Sequence, residues 1–373
     1  MASKRILITG GAGFIGSHLS DELLARGHEV RALDCLSPQV HGAGCTRPEY
    51  LAKEVDLQVG DVRDREAVRR ALRAVDAVFH FAAAVGVGQS MYQLEQYTSV
   101  NNLGTAVLLE ALIERPVERL VVASSMSIYG EGLYRLPDGT ETAAPERTRA
   151  QVQAGAWEPR SQFGLPLAPV ATPERKRPSL SSVYALSKFH QERLCLMTGR
   201  AYKLPAVALR FFNVYGSRQA LGNPYTGVLA IFAARLLNGK PPLIFEDGLQ
   251  QRDFVSVKDV ARACLLALEK PEAAYGVFNV GSGHPFTVRE VARRMAEALD
   301  KPQIRPEVTG KYRMGDIRHC FADISHARKV LGYEPQVPFS RGLVELAGWL
   351  RGQIATDRVA QMQAELEARG LTA

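Results

Sequence analysis

The chain has 373 residues, of which 46% are hydrophobic and 23% charged. Those are the proportions of a folded protein with one large domain or two to three ordinary ones, and they exclude a disordered chain, a collagen and a coiled coil. The net charge of +7 comes from 46 Lys+Arg against 39 Asp+Glu. It is spread along the chain, with no basic stripe interleaved with aromatics, so no nucleic-acid partner is expected.

The densest basic cluster, Glu174-Arg175-Lys176-Arg177, sits in a proline-rich stretch and reads as solvated surface. The longest apolar runs, such as Ala82 to Val85, fall far short of the ~20 residues that a membrane helix needs. Met1 to Arg5 leads into a strand-like segment without the apolar core of a signal peptide. The five cysteines, Cys35, Cys45, Cys195, Cys264 and Cys320, are scattered and odd in number. They suggest neither a disulfide framework nor a metal site. A cytoplasmic protein with reduced thiols, no membrane contact and no metal is expected.

Arg5–Thr9 reads as a strand, and Phe14 to Arg26 as a helix with Ile15, Leu19, Leu23 and Leu24 on one face. Strands follow at Glu29–Asp34 and Val55–Asp61, a helix at Arg65–Arg73, and a strand at Ala77–Phe81. A helix at Thr98–Ile113 and a strand at Leu120–Ser124 complete the alternation. Strands alternating with helices predict βαβ units, hence a doubly wound parallel sheet of the Rossmann type. Residues 131–180 break the rhythm with seven prolines from Pro137 to Pro178. So long a stretch without periodicity is expected to be a lid or binding loop. The pattern resumes with a helix over Ser182–Thr198 and strands at Ala206–Phe212 and Val277–Val280. The C-terminal part mixes loops with helices at Val288–Leu299, Ile324–Leu331 and Arg341–Arg351.

Gly10-Gly11-Ala12-Gly13-Phe14-Ile15-Gly16 lies between the first strand and the first helix. Its glycines permit a tight turn, a close approach of a pyrophosphate, and packing of helix on strand. The helix N-terminus then faces the phosphates with its positive end. Asp34 closes the second strand, 18 positions after Gly16. A carboxylate there accepts hydrogen bonds from ribose hydroxyls and repels a 2′-phosphate, which favours NAD over NADP. Asp61 and Val62, after the third strand, suit either an adenine contact or an ordinary strand-to-helix turn. Tyr184 and Lys188 stand four apart on one helix face. An ammonium beside a phenol lowers the phenol's pKa and makes it a base near neutrality. Ser125, at the C-terminal end of a parallel strand, can complete a Ser–Tyr–Lys set. His80, inside an apolar strand, reads as a hydrogen-bonded structural histidine.

These motifs, with Phe81-Ala82-Ala83, Asn101 to Thr105, Tyr129-Gly130, Arg210 to Gly216, Arg252 to Val255 and Phe278 to Gly281, resemble the extended short-chain dehydrogenase/reductase family. Within it they resemble the nucleotide-sugar epimerases and dehydratases. The resemblance implies NAD, a nucleoside diphosphate sugar substrate and a smaller C-terminal α/β substrate domain. It implies an NAD-binding domain over 1–213, with 252–281 returning to it and 131–180 as an insert. Residues 214–251 and 282–373 would form the substrate domain.

It further implies that Ser125, Tyr184 and Lys188 are catalytic. Gly10, Gly13, Phe14, Ile15, Gly16, Asp34, Asp61, Val62, Phe81, Ala82, Ala83, Asn101, Tyr184 and Lys188 would hold NAD. Ser125, Asn213, Arg252, Arg313 and Asp316 would hold substrate, with a surface salt bridge the competing role for Arg313. Where the sugar 4,6-dehydratases carry an Asp-Glu pair, this chain has Met126 and Ser127, which transfer no protons at neutral pH. C4 epimerisation remains the favoured reaction, ahead of a net oxidoreductase, a dehydratase or a non-catalytic NAD sensor. Motif order resembles the UDP-glucose 4-epimerase group. The long insert, Ser217 to Gly227 and Gly315 to Asp323 resemble dTDP-L-rhamnose 4-epimerase-type sequences. UDP-hexose or UDP-uronate 4-epimerisation is the alternative. A homodimer is expected, paired through Phe189, Leu194 and Leu196 on one helix and Val100, Leu103, Val107 and Leu108 on another.

Overall fold

The computed structural model describes residues 3–223, 225, 227–313, 315–353 and 357–372. Pro224 and Thr226, part of the 217–227 motif, lie outside the described residues. In chain order the first half contains β1 (Arg5–Thr9), α1 (Phe14–Ala25), β2 (Glu29–Asp34), β3 (Asp56–Val59), α2 (Arg65–Ala71), β4 (Ala77–His80), α3 (Gly104–Glu114) and β5 (Arg119–Ser125). The insert contributes β6 (Leu133–Arg135), β7 (Glu141–Ala143), α4 (Arg149–Gln153) and β8 (Ala168–Val170). Then come α5 (Val183–Ala201), β9 (Ala206–Phe211), β10 (Asn213–Tyr215), α6 (Val228–Leu237), β11 (Gln251–Ser256), α7 (Val257–Glu269) and β12 (Val277–Val280). The chain ends with β13 (Pro285–Thr287), α8 (Val288–Ala298), β14 (His319–Cys320), α9 (Ser325–Leu331), α10 (Phe339–Leu350) and α11 (Val359–Glu367).

Seven parallel strands in the order β12-β9-β5-β4-β1-β2-β3 form the main sheet, a Rossmann-type arrangement. Every residue of β4, β5 and β9 is buried, as expected of parallel strands covered by helices on both faces. Two apolar clusters lie on its opposite faces. One joins Ile6, Ile8 and Phe79 to α1 and α7, and the other joins Leu7, Val78 and Val122 to α2, α3 and α5. A second sheet sets β11 between β10 and β13, with β14 also paired to β11. A third cluster packs α6, α8 and α10 around Phe339. Helix starts follow ordinary capping. Asp64 accepts from the amides of Glu66 and Ala67, and Ser182 caps α5 through the Ala185 amide.

The structure departs from the sequence expectations in several places. The predicted 98–113 helix begins as a π-helix over Thr98–Leu103, the kind of irregularity often found at functional sites. The 131–180 stretch is not structureless: β6 pairs antiparallel with both β7 and β8. Its strands have three residues each, too few for a period to register. Helices α6, α7 and α11 and the strands of the second sheet, β10, β11, β13 and β14, are absent from the sequence reading. For α7 the signal existed, in Ser256 as cap and buried Val257, Val260, Cys264 and Leu268. Finally, Lys176 is not solvated. It is buried and donates to the Tyr129 carbonyl, while Arg175 stays exposed. Among the described residues no helix is long and apolar enough to cross a membrane, and no His/Cys/Asp/Glu group could hold a metal ion.

Candidate active site

The glycine turn follows β1 at the C-terminal edge of the sheet. Gly10 adopts φ +71°, and a Cβ on it would come within 2.9 Å of the Ala82 amide nitrogen. A Cβ on Gly16 would lie 2.5 Å from the Gly10 carbonyl oxygen, and one on Gly11 would lie 2.6 Å from the Ala32 Cβ. Gly13 is the N-cap of α1 and makes no side-chain cap bond. The helix end therefore presents bare backbone. Phe14 is set edge-on to His18, and Ile15 packs on the core below. Asp34 is held by the amides of Ala12 (3.0 Å) and Leu36 (2.9 Å). Arg31 is turned away, bound to Asp56 and to the carbonyls of Ala71 and Arg73. Asp61 forms an ion pair with Arg63 at 2.7 Å, which holds its carboxyl below the usual range. Val62 packs against Gly104.

On the next strand end, Phe81 sits edge-on between Phe79 and Phe211. Asn101, fully buried in the π-helix, accepts from the Ala84 amide and donates to the Ala84 carbonyl and to Ser187 Oγ. It thereby ties the Ala82-Ala83-Ala84 segment to α5.

The Ser–Tyr–Lys group converges, with one difference from expectation. Ser125 stands beside the Tyr184 phenol, where it favours the ionised form, and accepts from the amide and hydroxyl of Ser127. Ser124 is turned instead to Glu192 at 2.6 Å, so only one of the two serines belongs to the site. Lys188 Nζ donates to Gln191 Oε1 at 2.6 Å. Burial pushes the Tyr184 phenol up, and the neighbouring Ser125 hydroxyl offsets this only in part. Burial brings Lys188 down to about 8. The Lys188 ammonium thus ends on Gln191 rather than on the phenol.

Sequence reasoning missed Gln191. Its amide donates to Thr105 Oγ1 at 2.9 Å and lies 3.3 Å from His80 Nε2. His80 is the structural histidine expected, bonded to Thr9 and Thr105, with burial and then Lys188 bringing it down to about 3. Only the spacing Lys188-x-x-Gln191 hinted at this network.

The substrate candidates occupy the second sheet and the turn before β14. Asn213 pairs with Phe254 in register, and its Oδ1 is buried without a partner among the described residues. Arg252 donates to the carbonyls of Gln251, Arg318 and Ile317. Arg313 pairs with Asp316 at 3.0 Å and lies over the Phe245 ring. Burial opposes ionisation of Asp316, yet Arg313, Arg252 and Arg147 hold its carboxyl below the usual range. A Cβ on Gly315 would lie 3.2 Å from the Ser181 carbonyl, which sets this turn against the start of the Tyr184 helix. Arg210, by contrast, forms a buried two-pronged pair with Glu192 and serves packing.

Residues 6–153 and 161–281 match the model of the NAD dependent epimerase/dehydratase family. The chain belongs to this family. Among curated relatives of this epimerase/dehydratase chain, the dTDP-L-rhamnose 4-epimerase of Burkholderia thailandensis is 37% identical over 94% of this chain and 96% of its own. The solved UDP-glucose 4-epimerase of Thermus thermophilus, in complex with NAD, is 36% identical, with TM-score 0.74, covering 94% of this chain and 100% of its own. That of Thermotoga maritima, with UDP-glucose, is 32% identical with TM-score 0.75, covering 93% and 98%.

The epimerase/dehydratase site suits NAD on its own geometry. The glycine cradle has no room for Cβ atoms at Gly11 and Gly16, and the α1 amides face it without a side-chain cap. Asp34 closes β2 beside this cradle, with Arg31 turned to Asp56. The chain is NAD-dependent in keeping with its family.

Proposed function

We propose that this chain is a 4-epimerase of nucleoside diphosphate sugars that interconverts dTDP-L-rhamnose and dTDP-6-deoxy-L-talose. The observation that carries the reaction class is the placement of Ser125 beside the Tyr184 phenol, next to Met126 and Ser127, which stand where an eliminating enzyme carries carboxylates. The likeness to the Burkholderia thailandensis relative supports the sugar. The 36% identity to the Thermus thermophilus structure favours UDP-hexose 4-epimerisation as the second reading.

Bound NAD supplies the hydride acceptor and donor at C4. Tyr184 takes the proton from O4 and returns it, and Ser125 holds O4 by hydrogen bond. Lys188 contributes positive charge on the same helix face, steadied by Gln191. Gly10, Gly13 and Gly16 with the backbone of Phe14 and Ile15 cradle the pyrophosphate. Asp34 takes the ribose, Asp61 and Val62 flank the adenine, and Phe81, Ala82, Ala83 and Asn101 line the remainder. Inversion requires the sugar ring to turn while its nucleotide stays held. Firm contacts therefore belong at the diphosphate end, on Asn213, Arg252 and Arg313, with Asp316 on the nucleoside ribose.

In this reading residues 1–213 and 252–281 form the NAD domain, 131–180 the insert, and 214–251 with 282–373 the substrate domain. Two chains pair through α3 and α5 as a homodimer, and the five free cysteines suit a reducing cytoplasm. The test is incubation with dTDP-L-rhamnose, UDP-glucose and UDP-glucuronate without added NAD, followed by NMR of the products. Inversion at C4 of the dTDP sugar is expected. Inversion of UDP sugars alone would move the assignment to the second reading. Turnover that requires stoichiometric NAD would make the chain an oxidoreductase.

A further inference from the structure

We propose that Arg147, a residue of the insert, is a positioning residue for the nucleotide end of the substrate, because it holds both flanks of the turn that carries Arg313. This rests on the reading of Arg313 and Asp316 given above. The Arg147 side chain is 2% exposed, although it starts from a loop outside the main sheet. Its guanidinium pairs with Glu246 at 2.9 Å and lies 3.6 Å from Glu131. It also donates to the Asp316 carbonyl at 3.2 Å and to the Trp157 carbonyl at 3.3 Å, and it covers the Tyr312 ring at 5.2 Å.

The turn has other ties as well: Arg313 bridges to Thr372, and the Lys311 carbonyl just before it accepts from the Glu246 amide. Within it the Asp316 amide donates to the Arg313 carbonyl, and the Tyr312 hydroxyl reaches the Asp316 carbonyl at 3.4 Å. Arg147 thus meets the residue before Arg313 with its face and the residue that pairs with Arg313 with its edge. A guanidinium suits both tasks at once, since it stacks on rings and forks toward oxygens.

Behind Arg147 the same insert grips the next stretch of chain. Glu131 accepts from the amides of Arg318 and His319. Glu158 takes the Arg318 guanidinium at 2.5 Å and faces His319 Nε2 at 3.0 Å. Arg318 is fully buried and completes its set on Glu246 and Asp247. Arg147 and Arg318 therefore share Glu246 in one buried ladder of alternating charge. Burying such a ladder gives little net stability, but it permits few alternative arrangements. Its geometric product is that Tyr312, Arg313 and residues 315–319 are set against the insert, with Arg313 and Asp316 at the start of this stretch and the carbonyls that receive Arg252 in its middle. The insert is in this sense a brace for the phosphate-facing arginines.

The test is calorimetric titration with dTDP, UDP and NAD of the wild type and of Arg147→Met, Arg147→Lys and Tyr312→Leu. For whichever nucleotide the wild type binds, Kd should rise roughly tenfold to a hundredfold in Arg147→Met, the range that a small misplacement of a binding group produces. Arg147→Lys, which keeps charge but not the fork, should fall between. NAD affinity and kcat at saturating sugar nucleotide should stay close to the wild type, so that KM moves and kcat does not. An unchanged nucleotide Kd in folded Arg147→Met, or equal losses for nucleotide and NAD, would overturn the proposal. If Arg147→Met does not fold, unchanged Kd values in Arg147→Lys and Tyr312→Leu overturn it. A wild type that binds neither dTDP nor UDP would instead overturn the functional reading on which it rests.

Discussion

Tyr184 and Lys188 share a helix face, yet their side chains end on different partners, Ser125 and Gln191. Replacing Tyr184 with Phe removes only the ionisable oxygen, so NAD should still bind while turnover falls by ~10²–10⁴-fold. A coupled assay and an NAD titration measure the two separately. Gln191→Leu removes the oxygen that accepts from the Lys188 ammonium. Loss of that acceptor disfavours the charged lysine further. The alkaline limb of the kcat–pH profile should then shift to lower pH, whereas damage limited to packing would scale the profile without moving it. His80 makes a prediction about stability. Its folded pKa of about 3 lies below the ordinary 6.5. Between those values the unfolded chain binds a proton that the folded one refuses, so stability is lost as pH falls. From pH ~6.5 to ~5 the loss should be about 2 kcal/mol. Urea unfolding of wild type and His80→Asn at the two pH values tests this, and the variant should show the shallower dependence.

At the scale of elements, the glycine turn separates stability from binding. A Cβ at Gly16 meets the Gly10 carbonyl at 2.5 Å, an atom that cannot yield without moving backbone. Gly16→Ala should therefore lower stability by ~1–3 kcal/mol as an overpacked contact. At Gly13 the corresponding distance is 3.2 Å and φ is an ordinary −74°. Gly13→Ala should keep a nearly native Tm and weaken NAD binding, which thermal melts with and without NAD distinguish. This turn was legible in the sequence because its strand, glycines, helix and Asp34 are all local. The same holds for the βαβ rhythm and for the 184–188 helix. The insert was not legible. Its three-residue strands carry no period, and its defining contacts join Arg147, Glu131 and Glu158 to residues 312–319, far along the chain. Gln191 was missed for a related reason, since its partners Thr105 and His80 come from other elements.

For the whole molecule, the sequence expectation that Val107, Leu108 and Leu196 pair two chains is corrected. All three are buried in the chain's own core, where they hold α3 and α5 to the sheet. Leu194 packs on that core as well. The apolar side chains left most outward here are Leu103, in the π-helix before α3, and Leu186 and Met197 on α5, each more than half exposed. Leu186 and Met197 are eleven positions apart, three helical turns along one face of α5. A second copy is the proposed cover for this stripe. Leu186→Glu combined with Met197→Glu should turn a dimer into a monomer by light scattering at micromolar concentration. A wild type that is already monomeric would remove the dimer from the functional reading.

Strand β12 reaches the main sheet only after the chain has run from Phe211 through β10, α6, β11 and α7. Until it arrives, β9 offers an open row of amides and carbonyls along a strand whose residues are all apolar except Arg210. On the ribosome that edge exists for the whole time needed to make the intervening segment. Exposed flat edges of this kind invite pairing with other chains. Sheets closed by distant segments also fold slowly, because loop closure precedes the contacts that repay it. The order of the strands therefore makes nascent and truncated forms that stop before Val277 the ones most dependent on chaperones, although the finished sheet has that edge covered.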